Sequence, residues 1–158
     1  MVEPQSERPK MSAYGVPASA TGLLPWSWAL ERLHASHNFW LATTRPDGRP
    51  HLMPLWGLWN DDALYISTAS SSRKAVNLYM QPACSISTQR ADEAVIVEGR
   101  AEEVRDKALL ARLLVTYMDK YGMGFPSDSP VFCIRPRTVF GFTEYSLSES
   151  ATRWRFGG

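Results

Sequence analysis

Apolar residues recur with a period of two over most of this chain and with a helical period in three places. Residues 1 to about 24, "MVEPQSERPKMSAYGVPASATGLL", follow neither pattern. They mix Pro, Ser, Gly and charge, so a loose N-terminal arm is expected there, followed by a single domain over residues 25–158. Pro25 suits a first helical turn, and Leu30, Leu33, His34 and His37 continue at helical spacing to about His37. Next, "FWLATT" (39–44) and "HLMPLWGLW" (51–59) flank the turn signal Pro46-Asp47-Gly48 and read as a hairpin with a longer loop. A turn at residues 60–62 leads into the strand "ALYIST" (63–68). A short helix near 71–80 stops before Pro82, and strands over 83–88 and 94–104 follow.

The clearest helix is "DKALLARLLVTYMDKYG". Leu109, Leu110, Leu113, Leu114, Tyr117, Met118 and Tyr121 form one stripe, Asp106 can cap its start and Gly122 can end it. Two strands, 131–136 and 138–144, complete the pattern with a kink at Pro136. Short strands joined by tight turns predict a mainly β, α+β domain, an antiparallel barrel with peripheral helices.

Composition narrows the function. The chain has 158 residues, 44% of them apolar, enough for one core. With Lys+Arg 17 against Asp+Glu 16 the formal charge is +1, so no global field recruits nucleic acid or an anionic membrane, and any anion site must be local. Cys84 and Cys133 each lie in an apolar run without a CxxC pattern, which reads as two core thiols in a reducing compartment. No segment approaches the ~20 apolar residues of a membrane span, and the N-terminus lacks a signal-peptide core, so a cytoplasmic location is expected.

The stretch "SSSRKAVNL" carries the most chemistry. Ser70, Ser71, Ser72, Arg73 and Lys74 fall where a strand hands over to a helix, so free amides, hydroxyls and two cations converge, with Asn77 one turn on. This is a phosphate site in outline. A serine-capped helix with a solvated cationic start is the alternative. In "HLMPLWGLW", alternation puts Leu52, Pro54, Trp56 and Leu58 on one face and His51, Met53, Leu55 and Trp59 on the other. Pro54 cannot donate a ladder bond and belongs at an edge or bulge. Trp56 and Trp59 suit either a planar ligand or a core or dimer contact. His34 and His37 are one helical turn apart but lack a third ligand, so no metal site is expected. "GMGFPS" breaks before a GxGxxG fingerprint, and no GxSxG is present. Near the C-terminus, Arg153 and Arg155 share one strand face and Trp154 the other, an arrangement for an anion and an aromatic contact, or for a packed surface strand.

"YISTASSSRKAVNLYMQP" resembles the strand–turn–helix phosphate motif of the pyridoxamine 5′-phosphate oxidase-like family, the flavin-binding split barrels. In that family a Thr at the strand end precedes Ser-Arg-Lys and a helix closing on Asn-Pro; here these fall on Thr68, Ser72-Arg73-Lys74 and Gln81-Pro82. "VIVEGRAEEV" is similar to the family's strand ending in Val-Glu-Gly. The resemblance covers about residues 28 to 156.

Two departures matter. Glu93-Ala94-Val95-Ile96 stands where vitamin B6 oxidases have Arg-Gln-Val-Arg, and "ATRWRFGG" replaces their Arg-Leu-His-Asp-Arg ending. Vitamin B6 oxidation is therefore not implied. "FWLATTRPDGRPHLMPLWGLW" with "TRWRF" resembles instead the subgroup using the deazaflavin coenzyme F420. That resemblance implies a split-barrel homodimer binding F420, or alternatively FMN, at the subunit interface. Residues His51, Met53, Pro54 and Trp56 would flank the ring, and Ser67, Thr68, Ser72, Arg73, Lys74 and Asn77 would hold the phosphate. The last segment, Arg153 and Trp154, would lie nearby. Arg45, Arg49 and Arg153 are available for the anionic oligoglutamate tail of F420. The implied activity is hydride transfer from reduced F420 to a small unsaturated or conjugated organic acceptor, with His51 or a water as proton source. A non-catalytic carrier of F420, FMN or haem is the competing class.

Overall fold

The computed structural model describes residues 3–157 of the chain. Its elements are β1 (Gln5–Glu7), a 3₁₀ turn (Ser12–Tyr14), α1 (Trp26–Ala35), β2 (Asn38–Thr44), β3 (Pro50–Trp56), β4 (Leu58–Asn60) and β5 (Ala63–Ser67). These are followed by α2 (Arg73–Met80), β6 (Ala83–Thr88), β7 (Glu93–Glu103), α3 (Lys107–Tyr121), β8 (Val131–Thr143), a 3₁₀ turn (Glu144–Ser146), α4 (Leu147–Ser150) and β9 (Thr152–Arg155). The sheet runs β1-β9-β8-β7-β6-β2-β3, with β5 on β8 and β4 on β5, and the paired strands are antiparallel. This is the mainly β, antiparallel arrangement with peripheral helices that the pattern predicts, in the split-barrel form that the resemblance implies.

The split lies in β8. Where the sequence suggests two strands kinked at Pro136, the structure has one, paired along its whole length with β7. Its other edge is divided, with Val131–Ile134 pairing β5 and Thr138–Gly141 pairing β9. The division comes at a bulge, because Glu98 faces Thr138 while Gly99 faces Pro136, leaving Arg137 as the extra residue. Pro136 has no N–H to lose there. Gly99 is required by proximity: a Cβ at this position would sit 2.2 Å from the Arg135 carbonyl oxygen. The orphaned carbonyl of Arg137 accepts from the Phe156 N–H at 3.1 Å.

The 51–59 run also differs from the sequence reading. It breaks at Gly57, so Leu58 and Trp59 belong to a separate short strand. Gly57 lies against the Phe39 ring, 3.0 Å from where its Cβ would be.

The core fills the barrel around Trp26, whose ring meets Trp154, Phe156 and Trp59 edge-on at centroid distances of 5.4, 5.3 and 6.1 Å. A second cluster forms where Leu113 and Tyr117 of α3 cover Leu58, Tyr65 and Cys133. Asp106 caps α3 by accepting from the amides of Ala108 and Leu109, and Gly122 ends it with φ of 73°. Only part of the apolar stripe is buried, since Leu114 and Met118 remain exposed. Cys84 and Cys133 are buried free thiols, as expected, and burial pushes the Cys84 thiol up to about 12.

The N-terminal segment corrects the expectation of a loose arm. Met1 and Val2 lie outside the described residues. Beyond them, β1 pairs with β9, and Glu7 accepts hydrogen bonds from Arg153 (2.7 Å) and Arg155. Arg8 is buried and, among the described residues, donates to the main-chain carbonyls of Ser19 (3.0 Å), Thr21, Glu149 (2.7 Å) and Ala151 (2.7 Å). Apolar periodicity is silent here because the segment is held by edge hydrogen bonds and a guanidinium, not by an apolar face.

Gly99→Ala tests the constraint at the bulge. Its methyl group would meet backbone, which cannot rotate away, so we expect a loss of roughly 2–4 kcal/mol in denaturant unfolding. A change below about 0.5 kcal/mol would show that the two strands separate freely there.

Candidate cofactor site

The site grows from the handover between β5 and α2. Ala63 to Ile66 are buried on both faces of β5, which fixes where the chain leaves the barrel. Ser67 donates to the Pro130 carbonyl (3.0 Å), tying that exit to the segment entering β8. Thr68 and Ser72 share a hydrogen bond at 3.0 Å, and the Ser72 hydroxyl accepts from the Ala75 N–H at 3.2 Å. Ser72 is thus the N-cap of α2. Ala75 and Leu78 enter the core, and Asn77, fully buried, donates to the Thr43 hydroxyl at 2.9 Å. Its Oδ1 has no partner.

Thr43 is the link to β3, because it lies directly opposite His51. The buried Nδ1 of His51 also has no partner. Burial, then the charges of Arg45, Lys74 and Arg73, hold the imidazole below the usual histidine range. Arg45, Arg73, Lys74 and His51 therefore converge at one mouth of the barrel. Neither Arg73, Lys74 nor Arg45 has a carboxylate partner among the described residues. Such a group of donors, above a helix start and two unsatisfied buried polar atoms, suits an anion.

Other expected residues fall elsewhere. Met53 lies next along the face of His51, opposite Leu41, and Pro54 opposite Trp40. The strand carrying them is an edge of the sheet, where Pro54 costs no ladder bond. Trp56 sits at the far end of β3, roughly 17 Å from His51 at strand spacing. There it stacks on Tyr121, centroids 4.4 Å apart and planes 5° apart, with His37 edge-on. Trp154 is wholly buried under Gly141, a core residue instead of a surface aromatic. Arg153 is held by Glu7, and Arg49 by Asp47 at 2.9 Å, so neither is free for a ligand tail.

Sequence reading missed Thr43 and the groove that it helps to line. This groove, of about 490 Å³, runs past Ala42, Thr44 and Pro50 to Arg100 and Arg137. Arg100 faces Arg135 directly across β7 and β8, an unfavourable like-charge pair. The bulge that places Arg137 was hinted at only by Gly99 and Pro136. Among the described residues no group of His, Cys, Asp and Glu is arranged for a metal, and no helix is long and apolar enough to cross a membrane.

The Trp56 end has its own polar lock. Lys120 of α3 donates to the carbonyls of Ser36 (2.7 Å) and Gly57 (2.8 Å), and Tyr121 accepts from the Gly57 N–H (2.9 Å). Burial lowers the Lys120 ammonium to about 8 and raises the Tyr121 phenol to about 12.

Residues 29–143 match the pyridoxamine 5′-phosphate oxidase family. The chain belongs to this family. The match runs from within α1 to the end of β8, so β1, β9, Arg153 and Trp154 of this oxidase-family chain lie outside it. Among solved structures, a conserved hypothetical protein from Mycobacterium tuberculosis is similar, with 26% identity and a TM-score of 0.66 over 77% of this chain and 86% of that one. An F420 reductase shares 24% identity, with a TM-score of 0.58 over 69% of this chain and 93% of its own. The haem storage protein HutZ from Vibrio cholerae shares 20%, with a TM-score of 0.57 over 70% and 86%. No curated protein matches the chain in sequence.

Lys120 gives this family member a distinctive alkaline behaviour. The unfolded chain holds that proton up to the ordinary lysine value, so between about pH 8 and 10 it binds more protons than the fold, and stability rises with pH. From about pH 9 the unfolded thiols of Cys84 and Cys133 ionise while burial holds the folded ones protonated, and above about pH 10 the unfolded tyrosines follow while Tyr65 and Tyr121 resist to about 12, so the Lys120 gain is opposed and stability falls. Denaturant titrations across this range, with the thiols kept reduced, should peak near pH 9, and Lys120→Met should remove the rising limb. A rising limb of unchanged size in that variant would assign it to other groups.

Proposed function

We propose that this chain is an oxidoreductase of the split-barrel family that binds the deazaflavin F420 and reduces a small unsaturated or conjugated organic acceptor. The observation carrying this reading is the convergence of Arg45, Arg73, Lys74 and His51 beside the capped start of α2, with none of the three cations in an ion pair among the described residues. That donor set fits a phosphate group. Reduced F420, when bound, supplies a hydride, so the protein has to hold and orient the cofactor and exclude water.

Arg73 and Lys74 would hold the phosphate from α2, with Ser72 fixing the helix start that aims them. Arg45 adds a third cation from the β2–β3 turn. Met53 and Pro54, on the exposed edge strand, offer a surface for the ring. His51 or a water would deliver the proton to the reduced product. Choice of F420 over FMN rests on Ala94 replacing the expected Gln and on the resemblance of the hairpin, and an F420 reductase shares the fold. The haem storage protein with this fold keeps a carrier role as the second reading.

The reading includes a homodimer. Pro54, Trp40, Ser87, Ile96 and Phe140 lie in one cross-strand row on the outer face of the sheet, beside Leu52. Trp40 is 44% and Leu52 57% exposed, unusual for such side chains in a row. A second copy would cover this row and bring the edge of β3 into a shared site.

The absorption spectrum of the purified protein, with F420, FMN and haem added in turn, separates the readings. Arg73→Ala and Lys74→Ala should each weaken F420 binding by about 1–3 kcal/mol, roughly 5- to 150-fold, without altering the melting curve of the unliganded protein. Unchanged dissociation constants in both would reject the clamp. For assembly, sedimentation should give a dimer at micromolar concentration and Trp40→Lys a monomer with weaker cofactor binding. A monomeric parent protein would remove the shared site.

A further inference from the structure

His51 is placed unlike an ordinary surface histidine. It lies opposite Thr43, whose hydroxyl is taken by Asn77, and its own Nδ1 is shut away from water without a partner. The charged groups that face it come from two other elements: Arg45 from the β2–β3 turn, and Arg73 and Lys74 from α2. No carboxylate is among them; Asp47, nearest in sequence, bonds Arg49 and also feels the Arg45 charge. The empty site is therefore hostile to a positive imidazole, both by desolvation and by three like charges. Bringing an anion into the same cluster opposes the second effect, because its charge is of the opposite sign and the bond from Asn77 of α2 to Thr43, opposite His51, ties the helix to this strand pair.

We propose that His51 takes up a proton when an anion occupies the start of α2, so that the site binds its phosphate together with a proton. This rests on the reading of that cluster as the phosphate clamp. Coupling of this kind makes affinity fall as pH rises, even where the anion keeps a constant charge. It also leaves a protonated imidazole beside a bound cofactor and a neutral one in the empty protein.

Inorganic sulfate is the probe, since it stays doubly charged throughout the histidine range. The imidazole resonances of His51, with His34 and His37 as internal references, are followed by NMR between about pH 5 and 8.5, without and with saturating sulfate. The His51 midpoint should rise by about one pH unit or more while the references hold, and sulfate affinity should fall up to about tenfold across the same range. In His51→Gln that pH dependence should vanish. If sulfate shifts the amides of Ser72 to Lys74 but the His51 midpoint stays, the clamp stands and the proton coupling is overturned. If sulfate moves neither the amides nor His51, the clamp reading falls and this inference with it.

Discussion

The approach of β7 to β8 at Gly99 is the constraint on which the rest of the architecture depends. Two backbones meet so closely that no side chain fits, and the partner strand responds by carrying an extra residue at Arg137. The resulting bend divides the free edge of β8, giving one half to β5 and the other to β9. Because β5 is fixed on β8 and tied through Ser67 to Pro130, its exit is fixed too. Thr68, Ser72 and the first turn of α2 follow from that exit. Asn77 then reaches Thr43, and Thr43 sets the position of His51. Packing at one glycine is thus transmitted to the chemistry by a chain of named contacts.

Electrostatics separates most of the arginines of this chain into two kinds. Arg32, Arg49, Arg90, Arg105, Arg153 and Arg155 each have a carboxylate partner. Arg45, Arg73, Arg100, Arg135 and Arg137 have none among the described residues, and they flank the barrel mouth or the groove that Thr43 helps to line. A cation at a helix start opposes the helix dipole, and guanidiniums facing each other across a ladder repel. With near-zero net charge, such crowding is local, and Glu98 is the carboxylate that shares the groove with Arg100 and Arg137. The folded chain carries this repulsion at the place where Asn77 and His51 also leave polar atoms unpaired.

Much of this was legible in the sequence. The strand–turn–helix at Thr68–Lys74 could be read because capping and charge are local, and the long helix because Asp106 and Gly122 mark its ends. Pro54 announced an edge strand by what it cannot donate. Arg153 and Trp154 could not be read in the same way. Their spacing gives a strand with one cationic and one aromatic face, but which face turns inward depends on Gly141 making room for the Trp154 ring. Trp56 misled for a similar reason: its stacking partner, Tyr121, lies far along the chain on α3. The N-terminal segment escaped because hydrogen-bonded order without an apolar period leaves no periodic trace.

That segment also bears on how the molecule is made. Arg8 reaches carbonyls of Glu149 and Ala151, and β1 pairs with β9, so the first described strand can find its partner only after almost the entire chain has left the ribosome. Closing so long a loop comes late, since its entropic cost is met only when the intervening barrel has drawn the ends together. Until then β9 is absent, and the upper half of β8 emerges with an open edge. During synthesis this protein passes through a stage with one edge of β8 open over Thr138–Gly141, where aggregation competes most directly with folding.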